Sequence, residues 1–253
     1  MKLNIGPKNL NIDFEFSIYK KIAGKEFIGG HLANIKQVGI YLSGGLDSCT
    51  LLCLILTELK NLNQLGKIPV TCFTVVKNDG CTYYADRLVK QVSKKFNIQL
   101  NHVTNIFNPE AFLLPSVASG SVFESVKSQF PNTVFYFASN WPPTSDVVEL
   151  NNPTVGTNIS DQFNRDNLMV SPFANLHKPQ ILDLLYKLDC DDLIPYTHSC
   201  VMTPVGTCNN CFSCDERAWG FSALGKTDPG TIDPDIDDIT FNETWEFAPA
   251  DKL

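Results

Sequence analysis

The stretch Val38-Gly39-Ile40-Tyr41-Leu42-Ser43-Gly44-Gly45-Leu46-Asp47-Ser48 decides the fold. Val38 to Leu42 is a continuous apolar run, the pattern of a strand buried on both faces. Thr50 to Leu59 reads as a long apolar helix. The two glycines between them permit a tight turn in which successive N–H groups face one point, and the helix start adds partial positive charge there. That combination is an anion site. Ser43 and Ser48 add hydroxyl donors, and Asp47 is placed to hold a magnesium ion beside a phosphate. The expected ligand is a nucleotide phosphate or pyrophosphate. No Gly-Lys-Ser/Thr follows at the spacing of a Walker A loop, so the phosphate grip is of another kind.

Working outward, the chain alternates strands and helices. Pro69 to Val76 reads as a second buried strand, Tyr83 to Phe96 as an amphipathic helix with Tyr84, Leu88, Val92 and Phe96 on one face, and Leu100 to Thr104 as a third strand. Val122 to Phe130 is a further helix, Thr133 to Ala138 a fourth strand and Asn167 to Pro172 a fifth. Pro179 suits a helix first turn that Ile181, Leu182, Leu185 and Leu188 continue. The expectation is an α/β fold with a doubly wound, mostly parallel sheet. Ligands on such sheets bind at the carboxyl ends of the strands. The Gly-Gly loop, Asn78-Asp79-Gly80 and Ser139-Asn140 all follow strands and are expected to line one crevice. Ahead of the sheet, Asn11 to Ile18 alternates polar and apolar residues like a half-buried strand, with Lys25 to Ile28 as its expected hairpin partner. Asn151 to Arg165 reads as a polar loop.

Charge and composition bound the function. The 253 residues are long enough for a large core, and 43% hydrophobic with 19% charged residues is a globular balance. No stretch is long and apolar enough to span a bilayer, and the first residues lack the apolar core of a signal peptide. A cytoplasmic location is expected. The net charge of -7 is concentrated: from Thr227 onward there are eight acidic residues and one basic, which leaves 19 of each in the body. A neutral body argues against broad nucleic-acid binding, which needs basic clusters.

Nine cysteines in such a chain are expected to be thiols or metal ligands. Cys49, Cys53, Cys72 and Cys190 lie in apolar runs and read as small core residues; Cys81, in a polar segment, is harder to place. Cys200, Cys208, Cys211 and Cys214 are separated by seven, two and two residues. That spacing gathers four thiolates into tetrahedral coordination of zinc, with an iron–sulfur cluster as the other option. Four thiolates leave no open position, so the metal is expected to be structural. His198 is an alternative ligand that four thiolates make unnecessary.

The loop resembles the signature of the PP-loop ATP pyrophosphatases, Ser-Gly-Gly-x-Asp-Ser, at all five fixed positions. The resemblance implies a PP-loop (HUP-like) domain that grips the pyrophosphate of ATP while a substrate atom attacks the α-phosphorus. A narrower resemblance rests on Ser199-Cys200, Cys208 to Phe221, and Gly225-Lys226-Thr227-Asp228-Pro229, which look like the zinc module of the 7-cyano-7-deazaguanine synthase family. Pro172 to Lys178 is also similar to a segment of that family. The resemblance implies ATP-dependent conversion of 7-carboxy-7-deazaguanine and ammonia to the nitrile through an acyl adenylate, with ATP, magnesium and zinc as the groups bound. It further implies Leu42, Ser43, Gly44, Gly45, Leu46, Asp47 and Ser48 as the nucleotide contacts, Asp47, Ser48 and Lys178 as catalytic groups, and Cys200, Cys208, Cys211 and Cys214 as metal ligands. Lys178 reads equally as a phosphate contact or a solvated lysine, and Arg217 more readily as a structural ion-pair residue than as a crevice group.

The expected organisation is an N-terminal hairpin extension (1–34), a PP-loop ATP-binding domain (35–190), a zinc module (191–230) and an acidic tail (231–253). The expected partners are a deazapurine and ammonia, with no membrane; a homodimer is compatible with all of this. Two segments depart from the deazaguanine pattern. Val76-Lys77-Asn78-Asp79-Gly80 and Phe137-Ala138-Ser139-Asn140 stand where substrate-flanking motifs are expected, and only the Asn is retained. A related acid, another acceptor for the deazaguanine, a tRNA thiolase and an inactive nucleotide-binding module therefore stay open. Asparagine synthetases share Ser-Gly-Gly-Leu-Asp-Ser, but their amidotransferase domain would not fit in the 42 residues before Ser43.

Overall fold

The protein is described by a computed structural model covering residues 1–22, 25–28, 36–75, 80–106, 126–141, 143 and 169–232. Asn78 and Asp79, the Asn151–Arg165 loop, the first four residues of the expected Val122–Phe130 helix and nearly all of the acidic tail lie outside the described residues.

The apolar run forms strand β5 (Gln37–Tyr41), the centre of a five-stranded sheet. Its neighbours are β6 (Val70–Val75) on one side and β8 (Thr133–Tyr136) on the other. β7 (Asn101–Ile106) lies beyond β6 and β9 (Met169–Val170) beyond β8, giving the order β7-β6-β5-β8-β9. All pairings are parallel, with Val38 opposite both Val70 and Val134. Helix α1 (Leu46–Asn61) connects β5 to β6, and α2 (Cys81–Phe96) connects β6 to β7. The chain runs outward from β5 through β6 and β7, then resumes at β8 on the opposite flank. The order therefore reverses between β5 and β8, and the ligand crevice of such a sheet opens at that point.

The elements follow from burial. Helix α1 is buried from Leu46 to Leu59 apart from Asp47 and Thr57, so it is sandwiched rather than amphipathic. Thr50 is tolerated inside because its hydroxyl donates to the Leu46 carbonyl at 3.0 Å. Helix α2 is amphipathic as expected, with Tyr84, Ala85, Leu88, Val89 and Val92 buried. It begins two residues earlier than the periodicity indicated. Cys81 is its first residue, buried with its Sγ 3.1 Å from the Val75 carbonyl. Cys49, Cys53, Cys72 and Cys190 are fully buried core residues.

The N-terminal region differs from the expected single hairpin. β1 (Lys2–Ile5) pairs antiparallel with β2 (Ile12–Glu15), and β3 (Tyr19–Ile22) pairs with β4 (Lys25–Ile28). The alternation in Asn11 to Ile18 is real, since Phe14, Phe16 and Ile18 are buried, but its partner precedes it. Each of these side chains contributes roughly 2 kcal/mol of burial. The hairpin is tied to α3 (Lys178–Lys187): Gly6 N donates to Asp183 at 2.8 Å and Gln180 Nε2 to the Leu10 carbonyl at 2.7 Å. The sequence also left two elements unassigned, a 3-10 turn at Asp191–Tyr196 and helix α4 (Phe212–Ala223), which packs on α3. Among the described residues, no helix is long and apolar enough to cross a membrane.

Candidate active site

The Gly-Gly loop leaves β5 at Leu42, whose carbonyl accepts from Thr74 Oγ1 at 2.7 Å. Gly44 has φ of +78°, a conformation that disfavours a side chain. Gly45 caps α1 with no side-chain hydrogen bond, and the first helical bond runs from Cys49 N to Gly45 O at 3.0 Å. By helix geometry the N–H groups of Leu46, Asp47 and Ser48 then lack intrahelical acceptors, which leaves donors for an anion. Ser48 is buried. Its hydroxyl donates to Gly45 O at 3.0 Å and accepts from Ser43 N at 3.2 Å. With that proton committed, Ser43 Oγ is the donor of the 3.1 Å Ser43–Ser48 contact. Ser48 thus braces the loop from inside, and Ser43 presents the exposed hydroxyl.

Lys178 is the first residue of α3 and is only 6% exposed, so it is not a solvated surface lysine. Its Nζ lies 2.5 Å from Asp47 Oδ2 and 3.0 Å from Glu216 Oε2. Glu216 Oε1 in turn accepts from Asn140 Nδ2 at 2.6 Å. The chain Asn140–Glu216–Lys178–Asp47 therefore joins the loop after β8, α4, α3 and α1 at the reversal point of the sheet. Burial disfavours the ammonium, but Asp47 and Glu216 outweigh it and hold the Lys178 pKa above the ordinary lysine value. Burial pushes the Glu216 carboxyl up, with Lys178 pulling it back. Two carboxylates and one ammonium leave a formal charge of -1. Asp47 Oδ1 is buried with no hydrogen-bond partner among the described residues. An orphaned carboxylate oxygen in a net-negative cluster at a phosphate loop fits a divalent cation.

A second layer supports the loop. The Gly44 carbonyl accepts from His198 N at 2.9 Å, and the His198 ring stacks on Tyr84 at 4.4 Å with its Nε2 2.8 Å from the Thr203 carbonyl. His198 is therefore a packing residue between loop and cysteine module. Thr74, having donated to Leu42, accepts from His102 Nε2 at 2.8 Å, and His102 Nδ1 faces Asp86 at 3.7 Å. This Thr-His-Asp series is a brace, because Thr74 is fully buried and no substrate reaches it.

The four cysteine sulfurs of Cys200, Cys208, Cys211 and Cys214 lie within 4.8 Å of one another. A single tetrahedral ion with bonds of about 2.3 Å needs sulfurs roughly 3.8 Å apart, so the cluster fits a mononuclear thiolate site. An iron–sulfur cube holds its thiolates farther apart than one ion does. Cys211 caps α4, so the chain turns directly from the cysteine cluster into the helix. Arg217, buried in the same helix, forks onto Asp228 through Nε at 2.7 Å and Nη2 at 2.9 Å, and Nη1 donates to Thr197 Oγ1 at 2.9 Å. It locks the module internally and does not face the loop.

Glu216 is the residue that sequence reasoning passed over. It occurs in the quoted module run, but nothing in the spacing marks it as a partner of a lysine 38 positions earlier. The available signal was Gly220, four residues on and hence on the same helix face. A Cβ at Gly220 would come within 2.8 Å of Lys178 Cγ, so the glycine makes room for the stem of the lysine whose head Glu216 holds.

A parallel sheet with a phosphate loop at its order reversal and a four-cysteine cluster docked beside it defines a PP-loop-type fold with a metal-competent module. The asparagine synthase family model matches residues 28–120, which contain the loop, α1, β6, α2 and β7 but neither Lys178 nor the cysteines. No curated protein matches the chain. Among solved structures the chain is similar to the U34-tRNA thiolase from Methanococcus maripaludis with its 4Fe–4S cluster, at 16% identity and a TM-score of 0.43, over 78% of this chain and 69% of that one.

Proposed function

We propose that the chain is an ATP-dependent enzyme that activates a carboxylate by adenylation, and that the carboxylate is 7-carboxy-7-deazaguanine, taken to the nitrile with ammonia. The observation that carries the reading is the meeting of the phosphate loop with the Lys178–Glu216–Asn140 chain at the end of β5 and β8. The carboxylate oxygen attacks the α-phosphorus, forming an acyl adenylate and releasing pyrophosphate. The N–H groups of Leu46, Asp47 and Ser48 hold that pyrophosphate, the Ser43 hydroxyl joins them by turning its proton from Ser48 to the ligand, and Lys178 adds a fixed positive charge. Ammonia then displaces AMP to give the amide. A second ATP activates the amide oxygen, and loss of AMP leaves the nitrile, so two AMP and two pyrophosphate accompany each product. Magnesium would supply charge neutralisation of the pyrophosphate beside Asp47. Zinc, held by Cys200, Cys208, Cys211 and Cys214, would supply a cross-link that fixes the start of α4.

A second reading keeps the adenylation and changes the acid or the acceptor. It is favoured by Asn140, the one retained residue of the substrate-flanking segments, which gives an N–H to Glu216. Incubating the protein with ATP, magnesium, ammonia and 7-carboxy-7-deazaguanine separates the cases. AMP and nitrile in a two-to-one ratio, lost in Asp47→Ala, support the first reading. AMP without nitrile supports the second, and no AMP with any deazapurine acid would sink both.

A further inference from the structure

We infer that Glu216 is a positioning residue for the phosphate site: it keeps the Lys178 ammonium aimed at the loop when Asp47 turns to the magnesium–pyrophosphate ligand. The inference rests on the ATP reading above and goes beyond it, because Glu216 itself is not in contact with the loop. A buried ammonium needs a counter-charge. Lys178 has two, and they are unlike. Asp47 stands in the first turn of α1, at the loop, with one oxygen on Lys178 and the other unpartnered. That is the carboxylate a cation-bound phosphate claims. Glu216 lies deeper, at 3% exposed, and its second oxygen is held by Asn140 at 2.6 Å. It cannot follow Asp47 to the ligand.

Once Asp47 is occupied, Glu216 is the charge that remains for Lys178. Without it the lysine would be a buried cation beside a dication, and it would swing away or lose its proton. Gly220 fixes the other end of the same side chain, leaving room for Cγ where any Cβ would come within 2.8 Å. Head and stem of Lys178 are thus both set by α4. Because α4 starts at Cys211, the cysteine module contributes part of the ATP site.

The test uses the full chain with its metal and compares Glu216→Gln, Glu216→Asp, Lys178→Met and the Lys178→Met/Glu216→Gln double variant. The readouts are titration of magnesium–ATP, metal content, and the exchange-protected ammonium signal of 15N-labelled Lys178. Glu216→Gln should keep the parent's metal content and weaken ATP by about tenfold, with Glu216→Asp between the two. On the Lys178→Met background the same change should alter ATP affinity by less than about twofold, since Glu216 acts through Lys178. ATP affinity unchanged in Glu216→Gln, or an equal loss in both backgrounds, overturns the inference. If the parent itself binds no ATP, the adenylation reading has failed. The ammonium signal in the Asp47→Asn background, which removes the carboxylate the ligand would claim, then decides Glu216 alone: loss of protection on adding Glu216→Gln or Glu216→Asp supports positioning, and an unchanged signal overturns it.

Discussion

Alanine at Gly44 and alanine at Gly45 should have unequal consequences, although the two glycines are neighbours in one motif. Gly44 has φ of +78°, and a Cβ there would lie 2.8 Å from Tyr84 Cβ, 2.9 Å from Ala85 N and 2.9 Å from the Cys81 carbonyl oxygen. Two of these are backbone atoms in the first turns of α2 and cannot rotate away. The left-handed backbone costs about 1–2 kcal/mol for a residue with a side chain. Forcing a methyl into packed surroundings adds about 1–3 kcal/mol. Together these give about 3 kcal/mol, and at roughly 2–4 °C per kcal/mol for a chain of this size the melting temperature should fall by about 6–12 °C. Gly45 is different. Its φ of -85° and ψ of 168° are open to any residue, and its Cβ would meet Ser43 Oγ at 3.3 Å and the His198 carbonyl oxygen at 3.4 Å. The cost there should be about 1 kcal/mol, mostly the poorer helix cap. Scanning calorimetry of both variants at neutral pH measures the difference. A Gly44→Ala protein melting within about 2 °C of the parent, or two variants equal in stability, would refute the packing of the loop against α2.

Three further outcomes are expected. Arg217→Met removes the fork from Asp228, leaving it the Gly230 N–H, and takes one donor from the Thr197 hydroxyl, which still donates to the Ile194 carbonyl; it should cost about 2 kcal/mol in urea unfolding; Arg217→Lys, which keeps charge but not the fork, should recover only part of it. Burial holds His102 below the ordinary histidine pKa, with Asp86 pulling the other way. The unfolded chain therefore takes up that proton first, so its contribution is intact above about pH 6.5 and is lost as pH falls through the folded value. Melting temperatures from pH 7.5 to 5 should fall less steeply in His102→Gln; parallel curves would count against the brace. Elemental analysis should find one zinc per chain, lost in Cys208→Ser, and several irons per chain would refute a mononuclear site.

Much of the fold was legible because it rests on local patterns. The apolar run into β5, the four-residue recurrence in α2 and the turn chemistry of Gly44-Gly45 each state their own structure. Strand pairing at the N-terminus was not legible. Alternation in Asn11 to Ile18 announces a half-buried strand without saying whether its partner precedes or follows, and tertiary packing of the hairpin on α3 chose Lys2–Ile5. Helix α4 was hidden because the cysteine spacing was read for metal geometry and not for helix period, whereas Cys211 is its cap.

The same division holds for the site. By itself the sequence determined the Gly-Gly turn between strand and helix and the gathering of Cys208, Cys211 and Cys214, since both depend on residues a few positions apart whose geometry the backbone sets locally. Only the tertiary structure decided what Lys178 does. It is 131 residues from Asp47 and 38 from Glu216, and no local rule relates them. They meet because the sheet order reverses beside β5 and because Gly220 lets α4 close on α3. A buried ammonium then has to find its carboxylates there, since leaving it unpaired in that interior would be too costly for the fold.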